Sequence, residues 1–216
     1  MTAEIINKIC IKADMNNVWE LLSEGLPTFF LDPASTRYNR NHEGGLADHS
    51  LGVFLNLYNL YKGFDDSVKW ESLFKIAMLH DTCKVGTYQA VTKSKRAMND
   101  DGTYAKNHNG GAIWDPYIGY DKVRPEGPIL GHSDQSLYIA IQAGINLSEN
   151  EIMAIRWHMG SYDNHKGEDS YRMRDAMEKS QLVTITQTAD ALDAFSALSH
   201  EDLMTEANKF MEEHGI

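Results

Sequence analysis

His80 and Asp81 close the run Leu73-Phe74-Lys75-Ile76-Ala77-Met78-Leu79, whose apolar residues read as a buried helix. An imidazole beside a carboxylate at the end of such a helix is costly to bury unless both groups are satisfied. A divalent metal does this by binding both and cancelling the charge. A hydrogen-bonded His–Asp pair without metal is the plain alternative. His49 after Gly44-Gly45, His132 after Gly131 and His158 shortly before Gly160 also stand near predicted helix ends, beside turn residues. Asp190 lies inside the mostly apolar and small-residue segment 182–192, where a carboxylate must be paired or ligate a metal. Asp193, one turn on, faces a similar side and is either a partner of Asp190 or solvent-exposed. His42, His108, His165, His200 and His214 fall in polar loops or terminal helices and read as exposed histidines.

The elements that must position these groups are helical. Helices are expected over 3–12 and 16–23, with Asn16 or Asn17 as the cap between them. Pro27, Pro33 and Ala34-Ser35-Thr36 keep 26–41 irregular. A glycine turn then leads into a helix from about Leu46 to Gly63, and Ser67 is placed to cap the next, over 68–81. The helical pattern fails over 88–123. Tyr88-Gln89-Ala90-Val91-Thr92 alternates, Asn99-Asp100-Asp101-Gly102 signals a turn, and a Gly/Asn loop follows at 107–111, which together predict a β-hairpin-like insertion. Helices return at 133–143, at 149–158 behind the capping box Ser148-x-x-Glu151, and at 171–179, 181–198 and 202–214, the last closed by Gly215. The expectation is an all-α single domain over 1–216 with one irregular insertion.

Composition narrows the function. The chain has 216 residues, 42% of them hydrophobic and 24% charged, enough for one sizeable core. Its net charge of −11 argues against binding duplex DNA, which is held by Lys and Arg clusters. A small phosphate can still be bound through a metal and one or two local cations. No run approaches a membrane span, and the beginning of the sequence carries no basic-then-apolar signal. Cys10 and Cys83 form neither a CxxC spacing nor a disulfide framework, so a reducing cytoplasm is expected.

Five blocks occur in order: PASTRYNRNHEGGLADHSL, AMLHDTCKVG, GPILGHSDQS, IRWHMG and TQTADALDAF. Together, over residues 33–195, they resemble the HD-domain metal-dependent phosphohydrolase superfamily. The entry Gly-Gly-Leu-x-x-His-Ser looks like the HD domain of bacterial 3′–5′ exoribonucleases, without their nucleic-acid-binding module. The resemblance implies an HD-type helical core, with 199–216 as a C-terminal helix. It implies that His49, His80, Asp81 and Asp190 bind a first metal. In two-metal members, His132 and His158 bind a second and Asp81 bridges. Such mixed ligands suit Mn, Fe, Co, Ni or Zn, with Mg an option at a second site. Metal-activated water would then attack phosphorus at neutral pH.

Catalytic roles are accordingly expected for Asp81, Lys84, His132 and His158. Lys84, one turn beyond His80, is a phosphate ligand or an ordinary helix-terminal lysine. It stands where mononuclear nucleotidases of the family often carry a glutamate. Arg37 and Arg40, in the loop before His49, are further phosphate candidates. The expected function is hydrolysis of a nucleotide or related small phosphate ester, with a homo-oligomer compatible. The alternatives are a diiron HD-type oxygenase of a small polyol or phosphonate, and a non-catalytic metal-bound ligand-sensing module.

Overall fold

Two short helices, α1 (Thr2–Lys12) and α2 (Asn16–Glu20), lead into a π turn at Leu21–Gly25. The computed structural model describes residues 1–63, 68–123, 128–163 and 168–216. The N-cap of α2 is Met15, and no side chain caps it. The expected role of Asn16 or Asn17 fails because Asn17 Oδ1 accepts from the next residue's N–H, at Val18. The stretch from Leu26 to Gly44 is a series of turns and bends.

Helix α3 (Gly45–Tyr61) is the centre of the molecule. Every residue from Gly45 to Leu55 is buried, as befits a helix covered on all sides. Helix α4 (Trp70–Leu79) packs on it, with Phe74 edge-on to Phe54 at 5.1 Å. An isolated helix of this length is marginal in water, so α4 depends on that packing. Its N-cap is Lys69, and Ser67, the expected cap, lies outside the described residues.

A 3-10 turn, Thr82–Lys84, follows. Strand β1 (Tyr88–Arg96) then pairs antiparallel with β2 (Trp114–Lys122), from Tyr88 opposite Lys122 to Arg96 opposite Trp114. The Asn99–Gly102 turn therefore closes only the bridge Met98–Tyr104 inside the hairpin tip. The returning strand is the later Tyr- and Ile-bearing segment rather than the residues just after that turn.

The remaining helices are α5 (His132–Gln142), α6 (Glu149–Trp157), α7 (Glu168–Lys179), α8 (Gln181–Ser196) and α9 (His200–His214). Both bonds of the capping box at Ser148 and Glu151 are formed. Gly215 ends α9 in the left-handed conformation, φ 64°. Phe210 of α9 closes the core against Phe54 at 4.8 Å. The fold is all-α with a small two-stranded hairpin. Among the described residues no helix is long and apolar enough to cross a membrane.

Helix α8 lies close along α3, and Gly52 makes that approach workable. A Cβ on Gly52 would stand 2.1 Å from Asp193 Oδ1 of α8. Glycine inside a helix costs about 1 kcal/mol relative to alanine. Here it gives α8 the room to bring Asp190 and Asp193 to the first turns of α3.

Candidate metal centre

His80 and His158 occupy equivalent places, at the C-caps of α4 and α6. The last carbonyls of a helix lack intrahelical donors. In each case the Nδ1–H of the histidine supplies one, to Ala77 O at 2.8 Å and to Ile155 O at 2.7 Å. This fixes the tautomer and presents Nε2 as a bare lone pair. His49, in α3, donates Nδ1–H to Asp193 Oδ2 at 2.8 Å, so its Nε2 is the ring nitrogen turned toward the cluster. His132 enters as the first residue of α5, after Gly131.

These nitrogens converge on Asp81. Its Oδ2 stands 3.3 Å from His49 Nε2 and 3.4 Å from His80 Nε2. Its Oδ1 stands 2.7 Å from His132 Nε2 and 3.6 Å from His158 Nε2. Asp190 Oδ1 closes the first side, 3.1 Å from His49 Nε2 and 3.9 Å from His80 Nε2. Two triads result, His49-His80-Asp81 and Asp81-His132-His158, and the two oxygens of one carboxylate face one triad each.

The donor set fits divalent cations. His49 Nε2 and His80 Nε2 face each other at 3.3 Å, a spacing that one shared ion can bridge. Among the described residues the buried Nε2 of His158 has no hydrogen-bond partner. Ligand atoms about 2.0–2.2 Å from a shared ion stand roughly 3–3.5 Å apart at tetrahedral or octahedral angles. Most of the spacings above fall in that range.

Electrostatics gives the same picture. Burial opposes a charge on Asp81, but Lys84, His80, His132 and His158 hold its carboxyl well below the usual range. Burial works against Asp190 too, yet His49, with His80 and His158, draws it down to about 2. Burial opposes protonation of His49, but Asp190, Asp193 and Asp81 outweigh it and raise that imidazole well above its ordinary value. Burial wins at His80, which is held below that value. The centre thus keeps its carboxylates ionised and demands positive charge.

The HD-domain family model matches residues 46–194, well over half of the chain. The chain belongs to the HD-domain family. No curated protein and no solved structure matched it. His80 and Asp81 lie within the matched range, where helix α4 ends against the cluster. HD domains bind divalent metals and make up a metal-dependent phosphohydrolase superfamily, and this one has the histidine and aspartate cluster for a hydrolase-type function.

The cation candidates separate. Lys84 Nζ sits 2.5 Å from Asp81 Oδ2. Burial disfavours its charge, but Asp81 more than compensates and raises the ammonium above its ordinary value. Arg40 is buried, and its Nε and Nη2 bind Asp193 at 3.2 and 2.9 Å. Its guanidinium is committed to a carboxylate, which corrects the expectation of a phosphate role. Arg37 is exposed and does not line the cavity at the centre.

Asp193, ambiguous from sequence, is a buried orienter of His49. The only earlier signal was its place one turn after Asp190. His200 is exposed, as expected, and its Nδ1 also meets Asp48 Oδ2 at 2.9 Å. Cys83 Sγ lies 3.3 Å from His132 Nδ1, a contact no spacing indicated. His165 lies outside the described residues.

If His132 and His158 hold a second ion, His132→Ala should carry about one ion per chain where the intact protein carries two. Elemental analysis of both proteins checks this, and equal contents would assign His132 another role.

Proposed function

We propose that this HD domain hydrolyses a nucleotide or a related small phosphate ester. The observation that carries the reading is the pair of histidine and aspartate triads that share Asp81 and stand beside a cavity of about 530 Å³. That size suits a small-molecule ligand. His49, Lys84, His158 and Asp190 all line it.

Divalent ions held here would polarise a phosphoryl oxygen and make a nucleophile of water near neutral pH. The protein's part is placement. His49, His80, Asp81 and Asp190 would hold one ion, and Asp81, His132 and His158 a second. Asp193 keeps the proton of His49 on Nδ1, so that Nε2 remains a ligand. The carbonyls of Ala77 and Ile155 do the same for His80 and His158. Lys84 presents an ammonium at the cluster's edge, where a phosphate oxygen gains a charge-assisted hydrogen bond.

Phosphate release from a nucleotide panel, with metal-loaded and chelator-treated protein, tests the proposal. Loaded protein should release phosphate, and treated protein should not until metal is restored. Lys84→Ala should lower the rate at least tenfold, about 1.4 kcal/mol of transition-state stabilisation, with metal content unchanged. Small nucleotides should outperform duplex DNA, whose binding needs many cationic contacts. An unimpaired Lys84→Ala protein would reduce Lys84 to a partner of Asp81.

A further inference from the structure

The cavity carries a second chemistry beside the cluster. Gln187, Asp190, Ala191, Ala194 and Phe195 line it at intervals of three, four, seven and eight residues from Gln187, so one face of α8 forms a wall. Along that wall Phe195 lies five residues past Asp190, about 7–8 Å at the helical rise. There it meets Tyr38 of the loop before α3, with ring centroids 5.7 Å apart and planes at 73°. Both rings are largely exposed, Phe195 at 69% and Tyr38 at 62%. An edge-to-face pair leaves broad ring surface open to a third ring.

The pair is held rather than loose. Arg40, two residues after Tyr38, adopts a left-handed backbone, φ 64°. Its side chain is clamped to Asp193, two residues before Phe195. One buried ion pair therefore ties the loop bearing Tyr38 to the helix bearing Phe195. The turn itself is fixed by the Tyr38 N–H, which donates to Ser35 Oγ at 2.9 Å.

Charge limits what else can enter. Among the described residues lining the cavity, Lys84 is the one Lys or Arg. Arg40 is committed to Asp193, and the chain's net charge is −11. The cluster and Lys84 can offset one phosphate, and among the described lining residues no second Lys or Arg stands ready for another.

We propose that Tyr38 and Phe195 are the specificity-determining platform for a planar ring of the substrate, and that the preferred substrate carries a single phosphate group. This rests on the phosphohydrolase reading of the same site. Compounds of this class include nucleoside monophosphates and aryl-bearing phosphate esters.

The test compares adenosine 5′-monophosphate, its di- and triphosphate, and ribose 5-phosphate on metal-loaded protein. Stacking on an aromatic side chain corresponds to roughly tenfold per base. The monophosphate should therefore exceed ribose 5-phosphate about tenfold in kcat/KM, and exceed the di- and triphosphate. Phe195→Ala should raise KM for the monophosphate about tenfold, leave kcat unchanged and leave ribose 5-phosphate unaffected. Tyr38→Phe should retain what Tyr38→Ala loses. Equal kcat/KM for the monophosphate and ribose 5-phosphate, or a preference for the triphosphate, would overturn the proposal. Should no compound release phosphate, the hydrolase reading falls, and calorimetric titration of adenosine 5′-monophosphate into loaded protein decides the platform alone. Binding weakened by Phe195→Ala supports it. Absent binding, or binding indifferent to that change, overturns it.

Discussion

Asp81→Ala is expected to lower phosphate release at least a thousandfold, about 4 kcal/mol of transition-state stabilisation. No other side chain in the centre meets both triads: Oδ2 faces His49 and His80, and Oδ1 faces His132 and His158. Losing it should disassemble both ion sites, whereas losing His132 should empty one. The change also leaves Lys84 without its ion-pair partner, and that partly buried charge lowers stability on its own. Asp81→Asn keeps the volume and one oxygen while removing the charge, so it separates the two effects. Circular dichroism and elemental analysis on both variants should show a helical fold with little metal. Full turnover and undiminished metal in either variant would reduce His80-Asp81 to a buried hydrogen-bonded pair.

The second large effect is on stability. Arg40→Ala should destabilise the protein by about 3–5 kcal/mol, because it leaves the carboxylate of Asp193 buried with one neighbour fewer. For a chain of this size, that is a fall in Tm of roughly 6–20 °C. Arg40→Lys should rescue little, since one ammonium cannot reproduce the two parallel bonds from Nε and Nη2. Arg40→Gly should do better than Arg40→Ala by about 1 kcal/mol, because glycine accepts the left-handed backbone without strain. A thermal melt of the four proteins checks the order. An Arg40→Ala protein as stable as the parent would mean that Asp193 is satisfied by His49 alone.

Arg40 also shows where reading the chain in one dimension stops. Its partner is 153 positions away, and nothing in the local pattern of a proline- and glycine-flanked loop distinguishes a guanidinium that will meet phosphate from one that will meet a buried carboxylate. The ends of helices were legible because they are written locally. An apolar run stopping at His80-Asp81 and a Ser148/Glu151 box each need only a few neighbouring residues. The order of the histidine and aspartate blocks carried the family. The partner of β1 was not legible, because Asn99–Gly102 is a strong turn signal wherever the returning strand lies. The platform of Tyr38 and Phe195 was invisible for the same reason as Arg40. Its two halves meet only through the packing of α8 on α3, which Gly52 permits.

The most direct test of the account is the metal stoichiometry of the intact chain. The protein would be stripped with chelator, loaded with Mn²⁺, desalted and analysed for metal per chain beside Asp81→Ala. The geometry around Asp81 predicts two ions in the intact chain and none retained by the variant. An intact chain that retains none, with Asp81 balanced by Lys84 and its neighbouring histidines, would contradict it.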